Sequence, residues 1–139
     1  MFGTLTNLGV RAPDLEAELA FLTALGASGL TYSQRTHAGA QAERVHVHLG
    51  SIRLTLFRAG TYDARLEALG SRPTGGIGHA AFGVTSTDAV VEAAARVGVT
   101  PLIPTFTVEA VGIGPAAITY FRSPNGMILE AKQALGPKR

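Results

Sequence analysis

Apolar and polar positions alternate with period two over residues 5–12, placing Leu8, Val10 and Ala12 on one face of a strand and Asn7, Gly9 and Arg11 on the other. Pro13-Asp14 then opens a helix. Proline suits the first turn, and Asp14, Glu16 and Glu18 put negative charge at the positive end of the helix dipole. Leu15, Leu19 and Leu22 recur at i, i+4 and i+7, the stripe of a helix packed on a sheet, and Gly26 ends it. Three more strands are predicted near residues 30–36, 44–49 and 52–58, the last two joined by a tight Gly50-Ser51 turn.

The same order then returns. A strand over 78–84 turns Ala80, Phe82 and Val84 toward a helix and His79, Ala81 and Gly83 away from it. The helix over 88–97 begins at Thr85-Ser86-Thr87-Asp88, a capping-box spacing with Asp in place of Glu. Strands near 102–108, 116–122 and 127–131 follow, separated by turn signals at Gly112-Ile113-Gly114-Pro115 and Ser123-Pro124-Asn125-Gly126. Asn7 precedes Gly26 by 19 residues, and His79 precedes Gly98 by the same 19. Repetition on this scale predicts an α+β fold of two tandem βαβββ modules. The modules span residues 1–58 and 78–133. A linker over 59–77 with a turn or two of helix near 64–69 joins them, and a loose tail covers 134–139. Each sheet has one face under its own helix. Curling the two mixed sheets together, helices outward, makes a cup lined by the opposite faces: Asn7, Gly9, Arg11, Arg44, His46, His48, Arg53, Thr55 and Phe57 from the first module, and His79, Ala81, Gly83, Ile118, Tyr120, Ile128 and Glu130 from the second.

Composition narrows the setting. A hydrophobic content of 46% in 139 residues is enough to build a core. No apolar run is long enough to span a membrane, and the N-terminus lacks the basic-then-apolar form of a signal peptide, so a cytoplasmic location is expected. The absence of cysteine excludes thiol catalysis, cysteine-ligated zinc, iron–sulfur clusters and disulfides. A net charge of +2 with scattered arginines argues against nucleic acid as a partner, even at a pI near 9.4. A small molecule is the expected partner.

Three segments together resemble the vicinal oxygen chelate superfamily of glyoxalase I, the fosfomycin- and bleomycin-resistance proteins and the extradiol dioxygenases. They are Asn7-Leu-Gly-Val-Arg-Ala-Pro-Asp-Leu-Glu-Ala17, His79-Ala-Ala-Phe-Gly-Val84 and Tyr120-Phe-Arg-Ser-Pro-Asn-Gly-Met-Ile-Leu-Glu130. The last is similar to the family ending aromatic-x-x-Asp-Pro-x-Gly-x-x-x-Glu, with Ser123 in place of Asp. The resemblance covers nearly the whole chain and implies the cup-shaped fold. It also implies that metal ligands, where present, come from the first and last strands of each module. By position these are Asn7, Thr55, His79 and Glu130. His79 and Glu130 match family ligands; Asn7 is a weak ligand where His or Gln is usual, and Thr55 a poor one where Glu is often found.

The chemistry has competing readings. His79 and Glu130 suit a divalent ion with open positions, and Fe, Mn, Ni, Zn and Mg are all candidates. Equally, they suit a hydrogen-bonded pair in a cup without metal. His46 and His48 share a strand face and are better placed for substrate contact than for ligation. Arg11, Arg44 and Arg53, with Arg122 a possible addition, would make the cup favour a carboxylate, phosphonate or phosphate. Thr55, Phe57 and Tyr120 complete the substrate wall, while His37 falls in a surface turn. Gly9, Ala81 and Gly83 leave room at the seam between modules. The first expectation is a metal-dependent isomerase, lyase, oxygenase or transferase acting on a small anionic oxygenated substrate. The alternative is a metal-free binder that sequesters such a molecule, as the bleomycin-resistance proteins do. A homodimer is expected in either case.

Overall fold

The computed structural model of the chain describes residues 8–37, 40–58, 79–110 and 114–136, with side chains described outside 35–42. The chain divides into two compact units, Met1–Gly76 and Ile77–Arg139. The expected linker over 59–77 and Asn7 lie outside the described residues.

The first unit contains β1 (Leu8–Arg11), α1 (Leu15–Ala24), β2 (Ser28–His37), β3 (Ala40–Leu49) and β4 (Ile52–Phe57). The second contains β5 (Ala80–Gly83), α2 (Thr87–Ala95), β6 (Phe106–Ala110), β7 (Gly114–Arg122) and β8 (Ile128–Ala134). The sheets have matching topologies, β1-β4-β3-β2 and β5-β8-β7-β6. In each, the first strand lies parallel to the last and the remaining neighbours are antiparallel. The α+β class and the two βαβββ modules are therefore as the sequence predicts.

Helix α1 starts as expected: the Asp14 side chain accepts the Ala17 amide at 3.1 Å. Its buried stripe is rotated from the predicted one. Leu15, Glu18, Phe21 and Leu22 are buried and Leu19 is half-buried. Phe21 offers the larger apolar surface, and bringing it inward turns Glu18 inward with it, three residues earlier on the same face. Beneath α1 lie Val45, Val47, Leu54 and Leu56, all buried, which is the alternation expected of a half-covered sheet. Gly26 closes the helix at φ +91°, a conformation suited to glycine.

Three boundaries in the second unit differ from the sequence expectation. Ser86 rather than Thr85 caps α2, its hydroxyl accepting the Ala89 amide at 3.1 Å. Strand β6 begins at Phe106 because Pro101 and Pro104 cannot donate to a ladder; the chain meets β7 there only through a Pro101–Phe121 bridge and a 2.8 Å bond from Leu102 N–H to the Tyr120 carbonyl. Strand β8, in contrast, runs through Ala134, three residues past the expected end. The added length lets Gln133 reach α2, its Oε1 accepting from the Thr87 amide at 2.9 Å and the Thr87 hydroxyl at 3.1 Å. It also places Lys132 on the same face as Glu130.

Candidate functional site

In the first unit, strand register lines up two rows across the sheet: Gly9–Thr55–His46–Thr31 and Arg11–Phe57–Arg44–Ser33. Arg53 and His48 pair beside them. Every one of these positions lies on the face away from α1, as the period of two requires. The predicted residues Arg11, Arg44, Arg53, His46, His48, Thr55 and Phe57 are thus brought onto one surface.

His46 is held at both ring nitrogens. Nε2 lies 3.1 Å from Ser33 Oγ, and Nδ1 lies 3.0 Å from the buried hydroxyl of Thr55. Burial, then the charges of Arg53 and Arg44, push its pKa below the ordinary imidazole value, so the neutral ring is favoured. Ser33 was not singled out in the sequence, because only the β2–β3 pairing brings it to His46. His48 is exposed, and its ring packs where a Cβ on Gly29 would approach to 3.2 Å. Gly29 sits at the β2 irregularity with φ +66°, so a side chain there is disfavoured twice.

Arg44 Nε is buried and has no hydrogen-bond partner among the described residues. Among the described residues of the four strands the sole carboxylate is Glu43, on the opposite face, where Arg58 bridges it at 3.3 Å and also pairs with Glu16. Among the described residues of its strands, the face that carries the arginines therefore bears no carboxylate.

The second unit gathers a different cluster. Glu130 is 4% exposed, and its row is Ala81–Glu130–Tyr120, next to Gly83–Lys132–Ile118–Phe106. The Tyr120 hydroxyl donates to Glu130 Oε2 at 2.9 Å. His79 Nε2 lies 3.0 Å from the same oxygen, and Lys132 Nζ lies 3.1 Å from Oε1. Burial raises the Glu130 pKa, but the Lys132 and Tyr120 hydrogen bonds and the Lys132 and His79 charges outweigh it, leaving the carboxyl below its ordinary range. The hydrogen bond to Glu130, then burial, raise the Tyr120 phenol. The His79 ring meets Tyr120 edge-on with centroids 5.7 Å apart, and the Phe106 ring stacks on Tyr120 at 6.2 Å. A Cβ on Gly83 would meet nothing within 4 Å, so close packing among the described residues does not demand glycine there. Lys132 and Phe106 are functional neighbours the sequence reading missed. The signal for Lys132 was available: it stands two residues past Glu130 in a strand predicted to stop one residue too soon.

His79 and Glu130 are spaced as two ligands of a divalent ion would be. The 3.0 Å between His79 Nε2 and Glu130 Oε2 matches two ligands at about 2.1 Å and right angles on one metal. Yet no group of three His, Asp or Glu side chains converges among the described residues. Thr55 belongs to the first unit and is engaged with His46, and the one carboxylate in the cluster already faces an ammonium and a phenol. Among the described residues, that donor set supplies two ligands and no third, and does not by itself fit a metal.

Ser123 forms the turn that precedes β8. Its Oγ accepts the Met127 amide at 3.0 Å and its N–H donates to the Met127 carbonyl at 2.8 Å, with Gly126 at φ +94° closing the turn. This turn sets the start of β8 and hence the position of Glu130.

No family model matches the chain, and no curated protein does. Solved structures do. A glyoxalase family protein from Enterococcus faecalis is 20% identical with a TM-score of 0.65, over 94% of this chain and 98% of that one. The fosfomycin resistance protein FosX from Mesorhizobium loti is 17% identical with a TM-score of 0.62, over 99% and 94%. A glyoxalase/bleomycin resistance protein/dioxygenase from Alicyclobacillus acidocaldarius is 15% identical with a TM-score of 0.58, over 96% and 93%. No described helix is long and apolar enough to cross a membrane. With paired βαβββ units in matching topology and full-length likeness to these structures, the chain has the fold of the vicinal oxygen chelate superfamily.

Proposed function

We propose that the protein binds a small anionic, oxygen-rich molecule and that the face of the first sheet away from α1 supplies the anion contacts. The observation that supports this is a face bearing Arg44 and Arg53 without a carboxylate among the described strand residues, on which Arg44 Nε lacks a hydrogen-bond partner among the described residues. A guanidinium pairs with a carboxylate, phosphate or phosphonate through two parallel N–H donors. His46 is a positioning residue in this reading, since both of its nitrogens are already engaged by Ser33 and Thr55. The exposed imidazole of His48 is the one that reaches ligand, with Phe57 as an apolar wall. Tyr120 acts through Glu130 in the second unit. The two modules work as one domain, and the protein self-associates as a homodimer in the cytoplasm.

Isothermal titration and thermal shift at low ionic strength, against small carboxylates, phosphates and phosphonates, test the proposal. At least one class raises the melting temperature of the wild type. Arg44→Gln and Arg53→Gln each weaken that class by about 10-fold, the loss of one charge-assisted hydrogen bond. A wild type that binds none of the three classes refutes it.

A second reading, a metal-dependent enzyme of the glyoxalase or dioxygenase kind, is favoured by one observation: the 3.0 Å spacing of His79 and Glu130. Metal content of protein purified without chelator separates the two readings.

A further inference from the structure

The geometry points to Lys132 as the resident cation of the His79–Glu130 cluster, an ammonium held against Glu130 that neutralises the carboxylate in place of a divalent metal and makes the second unit refractory to one. The inference is independent of the arginine face of the first unit, and either can fail alone.

A carboxylate that is 4% exposed needs a counter-charge and hydrogen bonds. Glu130 finds them unevenly within its own unit: Oε2 accepts from the Tyr120 hydroxyl at 2.9 Å and lies 3.0 Å from His79 Nε2, whereas Oε1 has no hydrogen bond of good geometry among the described residues and is met by charge alone, from Lys132 Nζ at 3.1 Å. Glu130 and Lys132 together are neutral. An ion entering between His79 and Glu130 would add two positive charges beside an ammonium that the strand register keeps on the same face, only two residues away. The ion would also have to displace the phenol hydrogen bond or share its oxygen. Lys132 is itself 27% exposed, yet its ammonium lies on the carboxylate rather than in solvent.

The consequence is chemical. A ligand group approaching this cluster meets N–H and O–H donors and a half-exposed imidazole, not an open coordination position. Its oxygens would be held by charge and hydrogen bonding alone.

The test is titration of Mn(II), Co(II), Ni(II) and Zn(II) into the intact chain, untagged, by calorimetry and by Co(II) visible absorption. Lys132→Met and Lys132→Gln remove the ammonium, and Lys132→Arg keeps the charge. Circular dichroism and urea midpoints confirm that each variant folds. Wild type and Lys132→Arg are expected to take up no metal at this cluster. Lys132→Met and Lys132→Gln are expected to gain affinity by about 10–100-fold, the range over which groups just outside a metal's ligand set act. The gained affinity should disappear on adding His79→Ala or Glu130→Gln, which separates it from adventitious binding at His46 and His48. Wild type that binds metal in a His79- and Glu130-dependent manner overturns the inference. So does a folded Lys132→Met chain whose metal affinity is unchanged.

Discussion

Replacing Glu130 with glutamine removes one negative charge and almost no volume, so it isolates the electrostatics of the second-unit cluster. Breaking a fully buried ion pair by removing one partner costs about 3–5 kcal/mol. Here the carboxylate is buried, but Lys132 is 27% exposed and His79 44% exposed, so both can turn to solvent once their partner is neutral. Exposed pairs are worth no more than about 1 kcal/mol. The expected loss therefore lies between these limits, at about 2 kcal/mol, and includes the weakened bond from Tyr120 to an amide oxygen. Urea unfolding with tyrosine fluorescence or circular dichroism reads this as a midpoint lower by about 1 M, at a denaturant slope near 2 kcal/mol/M. If the two units unfold in separate steps, the step of the second unit alone should move. Because the folded Glu130 carboxyl lies below its ordinary range, its contribution is fully present above that range and is lost as pH falls through the folded value. The gap between wild type and Glu130→Gln should accordingly be constant from pH 7 down to the ordinary carboxylate range and narrow only below it. A midpoint shift of less than about 0.3 M at pH 7, or a gap independent of pH throughout, would refute the reasoning that a charged carboxylate holds this cluster together.

Further outcomes follow from other contacts. His46 is held neutral by burial and by Arg53 and Arg44, so Arg53→Gln should move its pKa upward toward the ordinary imidazole value, measured from ring resonances in an NMR titration. With the folded value depressed, wild-type stability should decline as pH falls from the ordinary imidazole pKa to the folded one, and less steeply in Arg53→Gln. Ser123→Ala should cost about 1 kcal/mol by leaving the Met127 amide unpartnered, whereas Ser123→Asp should be nearly neutral because a carboxylate oxygen can take the same bond; thermal unfolding distinguishes the two. Phe21→Ala should destabilise the first unit by about 3–5 kcal/mol, since its ring is wholly buried under α1.

Faces and element order were legible from the amino acids because they follow from local rules. A period of two assigned Arg11, Arg44, His46, Arg53 and Thr55 to one side of the first sheet, and His79, Tyr120 and Glu130 to one side of the second, with no knowledge of pairing. Asp14 and Gly26 marked the ends of α1 through their own backbone chemistry. Partnership was different in kind. Ser33 meets His46 across 13 residues and Phe106 meets Tyr120 across 14, and only the strand register decides such meetings. Lys132 stood two residues from Glu130, but its place beside Glu130 depended on how far β8 continues, and the pairing with β7 through Ala134 decides that. The rotation of α1 likewise came from competition between Phe21 and Leu19 for one buried stripe. Periodicity narrows that competition without ending it, because the apolar surface each side chain can bury is a property of the packed helix and sheet together.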